Sequence, residues 1–156
     1  MPWRRLGRLL SIASAATLVV LIGTTGSNPF PDTTTTSVRS GSAHWEPYSG
    51  ERLESLRAEG RPVFVNFTAA WCITCLVNEK VVLGTDAIQA ELRDKAIVYM
   101  KGDWTNRDPE ITRVLELYGR SGVPLYLLFP SDPQRDVSVL PNILTKGIVL
   151  DALAQI

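Results

Sequence analysis

Apolar residues in the C-terminal two thirds of the chain form several strand-like runs. The clearest runs are Val63–Thr68, Ala96–Met100 and Pro124–Phe129. The first is apolar on both faces apart from Asn66, which is typical of a central strand that is covered on two sides. A weaker strand is predicted within 137–144. Strands separated by helical segments predict an α/β sandwich of three layers, with a central mixed β-sheet between helices.

Helices are predicted between the strands from apolar residues at helical spacing and from residue types that start or end helices. The clearest start is Asp108-Pro109, a capping side chain followed by proline in the first turn, and Gly119 ends the same helix. The other predicted helices cover 49–59, 72–84 with a short continuation capped by Thr85-Asp86, and 147–154 capped by Thr145.

The N-terminus (1–26) has the pattern of a signal peptide or a membrane anchor. Arg4, Arg5 and Arg8 precede an apolar run at 9–22. The strictly apolar part has the length of a signal-peptide core, whereas the whole uncharged stretch is just long enough to span a bilayer, so both interpretations stay open. In either case the arginines are expected on the cytoplasmic side and the rest of the chain on the periplasmic side or outside.

Residues 27–44 are predicted to form a flexible linker, because they are rich in Thr, Ser, Gly and Pro and show no apolar period. The composition changes at Trp45, and a single folded domain is predicted over 45–156. The first 43 residues contain four Arg and one Asp and carry a net charge of +3. Because the formal net charge of the whole chain is zero, the remaining residues carry −3. This balance gives no electrostatic support for nucleic-acid binding.

The only two cysteines of the chain lie in Trp71-Cys72-Ile73-Thr74-Cys75, between a predicted strand and a predicted helix. Free backbone N–H groups and the positive end of the helix dipole stabilise a thiolate at a helix start, so Cys72 is the predicted nucleophile. Cys75 lies one helical turn further on and can close a disulfide with Cys72. In this hypothesis Cys72 attacks a partner's disulfide and Cys75 resolves the mixed disulfide, as in a thiol:disulfide oxidoreductase.

Three other uses of a cysteine pair have less support. A structural zinc site needs about four ligands, and the chain adds only His44, far upstream. Covalent haem attachment requires histidine directly after the second cysteine, where Leu76 stands. A purely structural disulfide would stabilise the fold weakly, because the loop that it closes is short. The sequence therefore predicts no metal and no cofactor other than the redox-active Cys72–Cys75 disulfide.

The motif and its surroundings resemble a known family. A strand, Trp-Cys-x-x-Cys at a helix start and a later Gly-Val-Pro before a strand are similar to the thioredoxin superfamily. More specifically, the segment 67–75 together with Asn78-Glu79 resembles the C-terminal periplasmic thioredoxin-like domain of the thiol:disulfide interchange protein DsbD. The resemblance covers 45–156 and implies a thioredoxin-like fold for the predicted sandwich.

The resemblance also implies roles for individual residues. Cys72 and Cys75 match the redox pair. Pro124 matches a proline that is cis and faces the disulfide, and the backbone of Val123 before it would pair with a bound substrate strand. Trp71 is expected to shield the active site and to pack beneath it.

Two positions near the cysteines concern proton transfer. Many thioredoxins have a buried aspartate six residues before the first cysteine, where this chain has Asn66, and asparagine cannot accept a proton from the resolving thiol. Glu79 lies four residues after Cys75 and matches an acidic residue of the DsbD-type domain. If partly buried, this carboxylate would have a raised pKa and could exchange protons with Cys75; a solvated surface glutamate is the alternative.

The cysteine pair, the export segment and the resemblance together imply a periplasm-facing reductase. Its expected location is the periplasmic side of the inner membrane, either anchored or soluble after cleavage. Its expected partners are exported proteins with disulfides and a membrane electron donor of DsbD type, because the N-terminal apolar run contains no cysteine. The alternatives are an anchored thioredoxin-like reductase for cytochrome c maturation, a copper-binding module using the two thiolates, and a non-catalytic adaptor.

Overall fold

The structure is a computed structural model, and it describes residues 44–156. The predicted signal peptide or anchor (1–26) lies outside the described residues, and so does the predicted linker apart from His44. Both therefore stay predictions. Within 44–156, no helix combines the length and the apolar character that crossing a bilayer requires.

A mixed β-sheet lies at the centre of the described domain. Its strands are β1 (Glu46–Pro47), β2 (Val63–Thr68), β3 (Val98–Asp103), β4 (Leu125–Phe129) and β5 (Ser138–Leu140), in the spatial order β1-β3-β2-β4-β5. Strands β1, β3 and β2 are parallel, whereas β4 pairs antiparallel with β2 and β5 pairs antiparallel with β4. Every residue of β2 is buried, which confirms the central strand that its apolar sequence predicted.

The helices begin where their capping residues predict. They are α1 (Gly50–Ala58), α2 (Ile73–Asn78), α3 (Asp86–Asp94), α4 (Pro109–Leu117) and α5 (Lys146–Leu153), and a π-helical turn, Glu79–Leu83, continues α2. The side chain of Asp108 accepts hydrogen bonds from two backbone N–H groups at the start of α4, and Pro109 is its first residue. The side chains of Ser49 and Thr145 cap α1 and α5 in the same way.

Apolar clusters fill the space on both faces of the sheet. On one face, side chains of α1 and α4, including Leu115, pack with Val65 of β2. On the other face, Ile88 of α3 and Val149 of α5 pack with Phe64 of β2. Consecutive residues of a strand point to opposite faces, so β2 contributes to both clusters. The predicted three-layer thioredoxin-like sandwich with a mixed sheet is confirmed.

One strand lies further along the chain than its prediction. Strand β3 begins at Val98 rather than Ala96 and ends at Asp103 rather than Met100. Ala96 has a φ of +52° and belongs to the turn after α3. The C-terminal end of β3 contains polar residues such as Lys101, so the apolar pattern stops before the strand ends. The backbones of these polar residues still pair with β2.

Two further local features depart from the sequence pattern. Thr85 precedes α3 as predicted, but its hydroxyl donates to the carbonyl oxygen of Val82 at 2.7 Å and does not cap the helix. Strand β1 was not predicted, because its two residues are too few to show a period. The predicted helix break at Gly84 is confirmed, although the turn before it is π-helical rather than α-helical.

Candidate active site

The two cysteines form a disulfide at the start of α2, where the chain leaves the central strand β2. Cys72 is the residue that caps the helix, and its Sγ atom accepts a hydrogen bond from the backbone N–H of Cys75 at 3.2 Å. The backbone N–H of Cys72 donates to the carbonyl oxygen of Ala69 at 3.0 Å, which holds the preceding loop in a tight turn. The sulfur of Cys72 therefore lies at the helix position that best stabilises a thiolate.

The two cysteines differ in their access to solvent. Cys72 retains 7% of its surface and Cys75 retains none. Both pack with Ala69 and Val123 in a small cluster separate from the two main cores. Of the pair, only Cys72 can therefore be approached by a large partner, while Cys75 can act on a sulfur that is already bonded to Cys72.

The loop before β4 lies against the disulfide. The peptide bond between Val123 and Pro124 is cis, and the carbonyl oxygen of Val123 is 3.8 Å from Sγ of Cys72. Pro124 is buried and Val123 is partly exposed. The fold thus brings Val123 next to Cys72, 51 residues away in the sequence, and Pro124 follows it directly.

Trp71 lies at the surface rather than beneath the site. Its side chain is 51% exposed, so the expected packing under the disulfide is not observed. Its indole N–H donates to the carbonyl oxygen of Thr105 at 3.1 Å, and its ring centroid is 6.0 Å from that of the buried Trp104. Neither Trp104 nor Thr105 was assigned a role from the sequence.

Glu79 belongs to a polar cluster between α2 and β3. One of its carboxylate oxygens accepts a hydrogen bond from the side-chain amide of Asn66 at 3.2 Å, and the other is 2.6 Å from Nζ of Lys101. The amide of Asn66 also donates to the hydroxyl of Tyr99 at 3.1 Å. Burial raises the pKa of Tyr99 well above its usual range. Proton exchange between Glu79 and Cys75 stays a prediction.

Sequence reasoning missed Lys101 as a member of this cluster. Asn66 and Lys101 are opposite each other in the parallel pair formed by β2 and β3. Each of the two is a polar residue that follows apolar residues in its strand, which was the available signal, but only the strand register shows that they meet.

Asn78, the last residue of α2, makes a second polar cluster. Its amide nitrogen donates to the hydroxyl of Tyr126 at 2.9 Å and to the carbonyl oxygen of Asn142 at 2.7 Å. Its amide oxygen accepts from the backbone N–H of Leu144 at 3.2 Å. Burial raises the pKa of Tyr126 to about 12. This cluster attaches the cysteine helix to β4 and to the loop after β5.

A cleft of about 620 Å³ opens beside the loop that precedes Cys72. Its walls include Ala69 and Ala70 of that loop, Leu76 of α2, Trp45 just before β1, and Lys101 of β3. Its lining is largely apolar, so it can receive a side chain of a bound protein. Within 44–156, no group of three or more His, Cys, Asp or Glu side chains is placed to hold a metal ion.

The fold and the site together define a thioredoxin-like protein with a cysteine pair spaced as in thiol:disulfide oxidoreductases. Residues 44–131, more than half of the chain, match the family model described as thioredoxin-like. The chain therefore belongs to the thioredoxin-like family.

Within this family the chain is related to DsbD proteins. It is 33% identical over 98 residues to thiol:disulfide interchange protein DsbD 1 of Pseudomonas aeruginosa, a match that covers 62% of this chain and 16% of the relative. It is 25% identical over 143 residues to DsbD of Ralstonia nicotianae, covering 82% of this chain and 23% of the relative. The chain thus spans less than a quarter of the length of these relatives.

Solved structures share the fold. The oxidised C-terminal domain of Neisseria meningitidis DsbD superimposes with a TM-score of 0.57 at 19% identity, covering 72% of this chain and 98% of that domain. A thioredoxin from Thermus thermophilus gives a TM-score of 0.58 at 23% identity, covering 73% of this chain and 86% of that one. At such low identity these likenesses establish the architecture alone.

Proposed function

We propose that this protein is a thiol:disulfide oxidoreductase that acts mainly as a reductase of exported proteins on the periplasmic side of the inner membrane. The observation that carries the proposal is the disulfide at the start of α2, with 7% of Cys72 exposed and Cys75 fully buried. This asymmetry suits a surface nucleophile with a resolving thiol behind it.

The reductive half-reaction begins with both cysteines reduced. The Cys72 thiolate attacks one sulfur of a partner's disulfide, a new S–S bond forms between the proteins, and the second partner sulfur leaves as a thiolate and takes up a proton. The Cys75 thiol then loses its proton, the resulting thiolate attacks Sγ of Cys72, and the first partner sulfur leaves as a thiolate that takes up a proton. The partner has gained two electrons, and the protein is left as the Cys72–Cys75 disulfide, the form in this structure.

A second dithiol protein must return the chain to its reduced form by the same steps in reverse. The relationship to proteins named thiol:disulfide interchange protein DsbD supports a membrane dithiol donor of that type. The arginines and the apolar run at the N-terminus support location at the membrane, as an anchored or a cleaved protein.

Partner binding uses the surface around Cys72. The partly exposed Val123 supplies backbone groups next to Cys72 that can pair with an extended segment of a partner. The exposed side chains of Trp71 and Ile73 flank the cysteine in the sequence and provide apolar contact area. In this proposal Glu79 exchanges protons with Cys75.

Trapping of the mixed disulfide tests the proposal. In the full chain, Cys75→Ala should accumulate mixed disulfides through Cys72, visible as slower bands on non-reducing gels and identifiable by mass spectrometry. The matched Cys72→Ala variant should trap far less, because the remaining thiol is buried. The wild-type chain should also reduce insulin with dithiothreitol as the electron source. Absence of both trapping and insulin reduction would refute the proposal, and trapped apocytochromes alone would redirect it to cytochrome c maturation.

A further inference from the structure

Thr105 lies in the loop after β3 and joins the loop between β2 and α2, which contains Ala70 and Trp71, to the rest of the fold. Its hydroxyl oxygen accepts a hydrogen bond from the backbone N–H of Ala70 at 2.8 Å. Its carbonyl oxygen accepts the indole N–H of Trp71 at 3.1 Å. The two residues that directly precede Cys72 are therefore both bonded to one residue that lies 35 and 34 positions further along the chain.

Asp103 controls the direction of the Thr105 hydroxyl. One carboxylate oxygen of Asp103 accepts both the backbone N–H of Thr105, at 2.8 Å, and its hydroxyl. An ionised carboxylate can only accept hydrogen bonds, so the single hydroxyl proton of Thr105 points to Asp103. The lone pairs of the hydroxyl oxygen are then free to accept from Ala70. Hydrogen bonds from Thr105 hold the pKa of Asp103 below its usual range, so the carboxylate is ionised at neutral pH, as an ordinary aspartate is.

Trp104 anchors this bonded loop in the fold. It is buried, its backbone N–H donates to the carbonyl oxygen of Thr68 at 2.8 Å, and its indole N–H donates to the hydroxyl of Thr112 at 2.8 Å. Its ring is the partner of the Trp71 ring, 6.0 Å away. Trp104, which directly precedes Thr105, is thus fixed independently of the hydrogen bonds to Ala70 and Trp71.

We propose that Thr105 is a positioning residue for partner binding, held in its orientation by Asp103. It fixes the loop at Ala70 and presents the half-exposed Trp71 ring next to Cys72, where a protein partner must dock. The inference rests on the proposed reductase function and adds to it the residue that orders the docking surface. Neither Thr105 nor Asp103 takes part in the exchange of sulfur bonds.

Substitution of Thr105 tests whether its hydroxyl affects the binding of a protein partner without affecting thiol–disulfide exchange itself. Thr105→Val keeps the size and branching of the side chain but removes the acceptor for Ala70, so the KM for insulin should rise about fivefold, the effect of one lost hydrogen bond. The rate with the small disulfide DTNB, which needs no docking surface, should stay within twofold. Thr105→Ser keeps the hydroxyl and should restore the insulin KM. Asp103→Ala should change it in the same direction as Thr105→Val, but less.

Thr85→Val is the matched control, because its hydroxyl also bonds a backbone group but lies beyond the far end of the π-helical turn. It should leave the insulin KM unchanged. An unchanged KM in Thr105→Val would overturn the inference, and so would an equal loss with insulin and DTNB, which would indicate general damage to the site. Failure of the wild-type chain to reduce insulin would instead count against the proposed function.

Discussion

Asn66 and Asn78 are both buried asparagines near the two cysteines, one in β2 and the other in the cysteine helix α2. The side chain of Asn78 uses its oxygen and its nitrogen, with three bonds that reach β4 and the loop after β5. The nitrogen of Asn66 makes two bonds, but its buried oxygen has no hydrogen-bond partner among the described residues.

The difference fits a structural role for the Asn78 cluster and, in the proposed function, a functional role for the Asn66 cluster. Buried polar groups are nearly always paired, and an exception calls for an explanation. Asn78 follows the rule and joins elements that must stay together. Asn66 is an exception to this rule, because its side-chain oxygen has no partner among the described residues. It belongs to the cluster with Glu79 and Lys101, where the proposed proton exchange with Cys75 takes place. Departures from local consistency are expected at functional sites.

The largest effect is expected from Asn78→Ala. The change removes three hydrogen bonds and leaves the backbone N–H of Leu144 buried without its partner, so the free energy of unfolding should fall by about 3 kcal/mol. Asn66→Ala creates a similar cavity but removes fewer bonds, and should cost about 1 kcal/mol. Urea unfolding at pH 7 measures both. Equal losses would contradict the division into a structural and a functional asparagine.

A smaller, pH-dependent effect is expected from Asn66→Asp. The new carboxyl would be buried within hydrogen-bond distance of Glu79, 3.2 Å in the present structure, so its pKa should be raised in the folded state. An acid with a raised folded pKa destabilises the fold as pH rises above its unfolded pKa of about 4. We expect a loss of about 2 kcal/mol at pH 8 that diminishes towards pH 4.

Urea unfolding across this pH range, with the wild-type chain as the reference, tests the Asn66→Asp prediction. A loss that does not depend on pH would mean that the new carboxyl stays ionised, with Lys101 compensating its charge. In that case the Asn66 cluster tolerates a second negative charge, and the contrast with the Asn78 cluster would need another explanation.

The smallest effects concern the tyrosine partners of the two asparagines. Tyr126→Phe removes a hydrogen bond of Asn78 and should cost about 1 kcal/mol at pH 7. Tyr99→Phe should cost less, because the hydrogen bond that it removes is longer, 3.1 Å against 2.9 Å, and Tyr99 is less completely buried than Tyr126. A Tyr126→Phe loss no larger than that of Tyr99→Phe would contradict the comparison.

Tyr126 also gives a test in alkali. Its pKa is about 12 in the folded protein and about 10 when unfolded. The unfolded state therefore releases the proton first, and stability falls as pH rises between these values. Tyr126→Phe should reduce the slope of the unfolding free energy above pH 10 by about 1.4 kcal/mol per pH unit. Urea unfolding at pH 10 to 11.5 measures this slope, and an unchanged slope would show that Tyr126 ionises normally.

Much of the fold was predictable where the signal is local. Strand β2 has the predicted bounds, because a strand buried on both faces reads as a continuous apolar run. Helix α4 was equally clear, because Asp108 and Pro109 act on backbone groups within one turn. Strand β3 was displaced in the prediction because polar Lys101 and Asp103 interrupt its apolar pattern.

The chain by itself determined the reactive centre. Strand, loop, Cys72 and Cys75 are consecutive, so a strand followed by a capped helix places the two sulfurs one turn apart whatever the rest of the fold does. Only the tertiary structure decided what surrounds them. Lys101 reaches Glu79 across 22 residues, Thr105 reaches Ala70 across 35 and Val123 reaches Cys72 across 51. Such pairs depend on strand register and on the packing of helices against the sheet, which bring distant residues together. These contacts produce no periodic pattern in the sequence from which they could be predicted.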